Sequence, residues 1–165
     1  MMPANRPIIA RSMRRADAAD VVAMARELAS VVRDPAPNLD AAALLRACGG
    51  PERWSECLVA ESDGALLGYA LFSRGFEAHT GKRRLWIGDL YLRPPARGIG
   101  AGRVLMAAIA RRAMELDCSA IFWELWRPNT PARHFYGALG ADACDDLAVM
   151  CLEGAPLAAL AGKSA

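Results

Sequence analysis

The sequence predicts one α/β domain over residues 1–165, with a mixed, mostly antiparallel central sheet and helices on both faces. Three observations predict it. Two strand-like segments, "SECLVAES" and "ALLGYALFSR", are joined by Asp63-Gly64, a turn pair that requires antiparallel pairing. Strand, helix and strand follow one another across residues 83–125, a crossover whose two strands can lie parallel. The complete order reads β-α-α-β-β-β-α-β-α-β, which mixes both kinds of connection.

"PIIARSMRRA" alternates loosely and suits a first strand. Asp17 then stands where a cap belongs, ahead of "AADVVAMARELAS", in which Val21, Val22, Met24, Ala25 and Leu28 recur at helical spacing. "RDPAPN" breaks the chain, and "LDAAALLRAC" reads as a short helix ending at Gly49-Gly50. The hairpin follows, and "RRLWIGDLYL" is the third strand of the same meander. Val104, Leu105, Ala108, Ile109, Ala113 and Leu116 line one face of a long amphipathic helix, with Arg103, Arg111, Arg112 and Glu115 on the other. "AIFWEL" returns as a strand. "PARHFYGALG" is a compact helix with Pro131 in its first turn and Gly140 as its stop, and "LAVMCL" is expected as a last strand.

Composition narrows the class. No apolar run approaches the ~20 residues that cross a bilayer, and the opening "MMPANRPIIA" lacks a signal-peptide block, so a soluble cytoplasmic protein with no membrane partner is expected. Five cysteines are scattered without a C-x-x-C pair, beside only His79 and His134, which favours free thiols over disulfides or a metal site. A net charge of +2 rests on 18 arginines and two lysines, and no dense basic run with interleaved aromatics points to nucleic acid.

The segment "RPPARGIGAGRVLM" (93–106) puts two prolines and three alternating glycines directly before a helix. Free N–H groups and the helix dipole make such a start an anion site. A P-loop would need a lysine and a hydroxyl after its last glycine, where this chain has Arg103-Val104, and a dinucleotide fold would place its glycines after the first strand. A tight turn serving helix packing is the bland alternative. The spacing Arg97-Gly98-Ile99-Gly100-Ala101-Gly102 reproduces R-x-x-G-x-G/A, and here the sequence resembles the GNAT superfamily of N-acetyltransferases. "GYALF", "GDLYLRPPARGIGAGRVL", "MELDCSAIFWEL" and "NTPARHFYGALGA" are similar to the diamine (spermidine/spermine) acetyltransferase branch over roughly residues 54–141.

The resemblance implies a GNAT-like sheet and acetyl-CoA as cosubstrate. It implies that Leu90, Tyr91 and Leu92 offer backbone groups to the acetyl and pantetheine portions. Arg97, Gly98, Ile99, Gly100, Ala101, Gly102 and Arg103 would cradle the pyrophosphate, and Asn129, Thr130, Pro131 and Ala132 would flank the pantetheine arm. Asn129 is equally a plain helix cap. Tyr136 takes the place of the family's general acid: a phenol of pKa ~10 can supply a proton to a departing thiolate whose conjugate acid has a pKa of ~8.5. Otherwise it reads as a core aromatic. The attacking amine must lose a proton, and Glu27, Glu77, Asp89 and Glu124 are the candidate substrate carboxylates.

The chain departs from the diamine branch at Gly88-Asp89, where those enzymes carry an acidic pair, and it adds the cations Lys82, Arg83 and Arg84. The expected activity is transfer of an acetyl group to a primary amine of a small diamine-like or amino-acid-like molecule, by direct transfer in a ternary complex. The rivals are a non-catalytic acyl-CoA sensor and an acetyltransferase for a peptide amine. Members of the branch are commonly homodimers, and the apolar tail "LAVMCLEGAPLAALAG" suits such an interface.

Overall fold

The computed structural model describes residues 7–162, so residues 1–6, on which the reading of the chain's opening partly rests, lie outside it. The chain divides into two compact units, one ending at Pro128 and one beginning at Asn129. The first holds a five-stranded sheet in the order β1-β2-β3-β4-β5, made of β1 (Ile9–Ser12), β2 (Glu56–Ser62), β3 (Ala65–Glu77), β4 (Lys82–Leu92) and β5 (Cys118–Trp123). The first four strands pair antiparallel and β5 joins β4 in parallel, as the crossover through α3 (Ala101–Glu115) requires. Asp63 (φ 52°) and Gly64 (φ 77°) are both left-handed, the conformation a two-residue hairpin with primed turn geometry needs.

Alternation along the strands sends side chains to two layers. On one face Cys57, Val59, Leu66, Tyr69 and Tyr91 pack with Ala18, Val21, Val22 and Met24 of α1 (Ala18–Val32) and Leu44 of α2 (Ala41–Cys48). On the other, Ala60, Ala70, Phe72, Leu85 and Ile87 are buried where α3 crosses the sheet with Leu105, Met106, Ile109 and Ala113. Leu105 and Ile109 are fully buried, and truncating either to alanine would cost about 2–5 kcal/mol. The foot of α3 is anchored by Arg112, whose Nε donates to Glu56 Oε2 on β2 at 2.8 Å, while Arg74 of β3 reaches the same carboxylate at 2.7 Å. Burial raises the Glu56 pKa but these arginines overcome it, holding the carboxyl down at about 2.

Two sequence expectations are corrected here. Asp17 holds the N-cap position of α1, but its side chain does not cap the helix: the carboxylate accepts from the Arg14 N–H (2.6 Å) and from Arg11 (2.6 Å), fixing a 3-10 turn (Arg15–Asp17) ahead of it. The last strand is absent among the described residues. The second unit contains α4 (Thr130–Gly137) and α5 (Gly154–Leu160), and residues 147–152 lie between them without a ladder partner. Leu147, Val149, Met150 and Leu152 are all more than half exposed, so both parities of the alternating segment face outward. Alternation marks two faces but supplies no neighbour to pair with. No helix of the described residues is long and apolar enough to cross a membrane.

Candidate active site

At the loop before α3, Pro94–Ala96 form a single 3-10 turn, and the chain then passes through Gly98 (φ 78°) and Gly100 (φ 97°). A Cβ built on either glycine would meet no atom within 4 Å. Packing therefore does not demand glycine here; the left-handed backbone does, and it leaves the space outside the loop open. The first bond internal to the helix is Val104 N–H to the Gly100 carbonyl at 3.1 Å, so the N–H groups of Ala101, Gly102 and Arg103 precede the helical ladder. The N-cap residue Gly100 has no side chain to cap this end, and no acidic residue occupies its first turn. Arg97 is exposed, with Nε donating to the Leu92 carbonyl at 3.1 Å and its guanidinium 5.8 Å from the centre of the Tyr91 ring. These are the features an anionic group would use, and a diphosphate fits them.

β4 leads into this loop, and its two edges differ. β5 pairs with it from Arg83 to Ile87 and stops, whereas β3 continues to Leu92. Over residues 88–92 the far edge of β4 therefore has no strand among the described residues. Arg93 N–H donates to the Leu67 carbonyl at 3.0 Å, which places Arg93 and Tyr91 in hydrogen-bonded register with β3. Leu90 and Leu92 consequently turn their backbone groups to the open edge, where Arg97 already takes the Leu92 carbonyl. Of the three residues the sequence grouped together, Tyr91 differs: its backbone faces Tyr69 and its ring is buried in the α1 layer.

A register shift reverses the side chains halfway along β4. Leu71 faces Asp89 and Phe72 faces Ile87, leaving Gly88 as the extra residue of a bulge. Leu85 and Ile87 thus point into the α3 layer, while Asp89 and Tyr91 point into the α1 layer. There the Tyr69 hydroxyl donates to Asp89 Oδ2 at 2.8 Å and the Tyr91 hydroxyl to Glu27 Oε2 at 2.9 Å. Burial, and then the adjacent Asp89 charge, push the Tyr69 phenol far above its usual value; burial and the Glu27 bond raise Tyr91 as well. Both phenols stay protonated and donate. Glu27 also lies 3.6 Å from Arg93, which grips Asp20 at 2.6 Å.

The other two carboxylates do not join them. Glu77, which falls between the expected strand segments "ALLGYALFSR" and "RRLWIGDLYL", is instead the last residue of β3, paired with Lys82 in register at the opposite end of β4 from Leu92. It is ion-paired with Arg84 and accepts from Thr80 at 3.2 Å. Glu124, expected within the fifth strand, falls just beyond Trp123 and is exposed. The cluster Lys82-Arg83-Arg84 is also less cationic than its sequence suggests, since Arg84 is neutralised by Glu77 and Arg83 sits 3.8 Å from Asp117.

In the second unit, Asn129 caps α4, its side-chain oxygen accepting from Ala132 N–H at 3.2 Å, with Thr130 and Pro131 opening the helix. Tyr136 is half-buried on α4, its ring centre 5.1 Å from that of Phe135, and burial raises its pKa. The residue that sequence reasoning missed is Tyr69. Its partnership with Asp89 depends on the Gly88 bulge, and nothing in an alternating pattern shows where a strand will slip by one residue.

Comparison with known proteins identifies the family. Residues 22–141 match the model of the acetyltransferase (GNAT) family. The chain is 32% identical to the thialysine N-epsilon-acetyltransferase of Mus musculus over 140 residues, 79% of this chain and 82% of that protein. It is 28% identical over 99 residues, 60% of this chain, to an L-ornithine N5-acetyltransferase of Arabidopsis thaliana, spanning only 43% of that relative's length. Among solved structures, an integron cassette protein from the mobile metagenome of V. cholerae shares the fold, with a TM-score of 0.77 and 23% identity over 93% of this chain and 97% of that one. With most of its length matched by the family model, the chain belongs to the acetyltransferase (GNAT) family and is an N-acetyltransferase.

Proposed function

We propose that the protein uses acetyl-CoA to acetylate a primary amine of a small cationic molecule, diamine-like or amino-acid-like, by direct transfer in a ternary complex. The observation that carries the reading is the uncapped start of α3, reached through two left-handed glycines and adjoining the open edge of β4. Acetyl-CoA supplies an activated acetyl thioester when bound. The N–H groups from Gly98 to Arg103, with Arg97, hold its diphosphate. Backbone groups of Leu90 and Leu92 meet the pantetheine amides in the manner of an added strand. Tyr136, kept protonated by burial, donates to the departing thiolate.

Direct transfer is supported by two of the five cysteines. Cys57 is buried and its thiol pKa pushed far up, and burial raises Cys48 too, so neither is poised as a thiolate nucleophile. Relatives named for thialysine and ornithine acetylation favour a small amino-acid-like acceptor. The family match crosses the boundary at Asn129, which supports reading 1–165 as one acetyltransferase domain. The exposed apolar residues from Leu147 to Leu160 support a homodimer assembled through the C-terminal segment or the outer edge of β5. Incubation with acetyl-CoA and a panel of primary amines, following release of free thiol, tests the activity. Amine-dependent thiol release is expected with at least one cationic acceptor; release that ignores every small amine would contradict the reading.

A further inference from the structure

Among the candidate carboxylates, Asp89 has an unusual environment. Glu27 and Asp20 lie against Arg93, and Glu77 against Arg84. No arginine or lysine nitrogen among the described residues lies within ion-pair distance of Asp89, whose hydrogen-bond partner is a neutral phenol. That phenol, Tyr69, is 1% exposed and belongs to the packed α1 layer, so its hydroxyl is held in one place. Tyr69 and Asp89 are diagonal neighbours across β3 and β4, a spacing that an aromatic side chain spans. The bond occupies Oδ2. Oδ1 accepts from no described residue. The half-buried carboxylate therefore has one oxygen fixed by Tyr69 and one without a described partner, immediately before the open edge at Leu90.

We infer that Tyr69 is a positioning residue, which orients Asp89 so that its free oxygen receives the substrate's ammonium group. This rests on the reading of the protein as an acetyltransferase for a cationic amine. A carboxylate with no cation of its own lacks a counter-charge, and an incoming ammonium supplies one without displacing an arginine. Glu27 would first have to release Arg93. Tyr69 thereby makes a single carboxylate at this strand a directional receptor, where a rotating side chain would not be one.

The test uses the full chain saturated with CoA and measures binding of thialysine and L-ornithine by calorimetry, alongside steady-state kinetics, for wild type, Tyr69→Phe, Asp89→Asn and the double variant. Tyr69→Phe keeps the ring in its layer and should weaken amine binding and raise KM by about tenfold, with kcat within about twofold and CoA affinity unchanged. In the Asp89→Asn background the same change should add little, because the carboxylate it orients is gone. Amine binding that Tyr69→Phe leaves untouched, or an equal loss with and without Asp89, would overturn the inference while leaving the acetyltransferase reading intact. A wild type that binds neither amine, with no amine-dependent turnover, would overturn both.

Discussion

Two helices of the first unit begin in opposite ways. At α2 the Asp40 carboxylate accepts the Ala43 N–H at 2.6 Å, closing the end with the chain's own oxygen. At α3 the capping position is Gly100, in a left-handed conformation and with no side chain to offer. Every helix start leaves several N–H groups unpaired, and a polar cap is the usual remedy. A start without one, beside a strand whose far edge carries no described strand, is where we propose that the ligand's anionic group binds. The closed start stabilises the fold; the open one is where function is expected.

The largest effect sharpens the contrast through α4. That helix is closed by Asn129, so its contribution to chemistry must come from a side chain. Tyr136→Phe should lower kcat by about 10²–10⁴-fold with cofactor affinity unchanged, and the loss of rate at high pH as the phenol ionises should disappear. A pH–rate profile measured on both proteins checks it, and an unchanged profile would return Tyr136 to a packing role.

α3 itself has a closed foot and an open head. Glu56 binds Arg112 at the foot, and its folded pKa of about 2 lies below the ordinary 4.5. The sign follows: its contribution is complete above about pH 4.5 and is lost as the pH falls toward 2, on the order of 1–3 kcal/mol. Denaturation curves across that range should steepen this loss in wild type and flatten it in Arg112→Ala. Identical acid profiles would show that the pair contributes nothing.

The smallest effect probes the closed start. Asp40→Ala should cost about 1 kcal/mol, a fall in Tm of about 2–4 °C, without altering CoA binding. A loss of CoA affinity in this variant would break the distinction between the two starts.

How much of this was legible in the sequence depends on whether the signal is local. Asp63-Gly64 carries its own turn geometry, and the hairpin appeared where it was read. The glycines at 98 and 100 likewise announce backbone conformations that few other residues adopt. The Gly88 bulge, by contrast, is a property of two strands in register, and it alone puts Asp89 beside Tyr69. Asp17 had two possible partners, a helix N–H or an arginine, and tertiary placement of Arg11 decided between them. "LAVMCL" alternates as a strand does, but a strand exists only beside another, and none of the described residues pairs with it.

The central claim is that the open start of α3 holds the diphosphate of CoA. Calorimetric titration of wild type and Gly100→Val with CoA, acetyl-CoA and pantetheine tests it most directly. Wild type should bind CoA and acetyl-CoA alike and pantetheine at least tenfold more weakly, while Gly100→Val, whose β-branched side chain resists the 97° φ and fills the open space outside the loop, should lose the preference for the diphosphate. Equal affinity for pantetheine and CoA in wild type, or full CoA affinity in a folded Gly100→Val, would contradict the account.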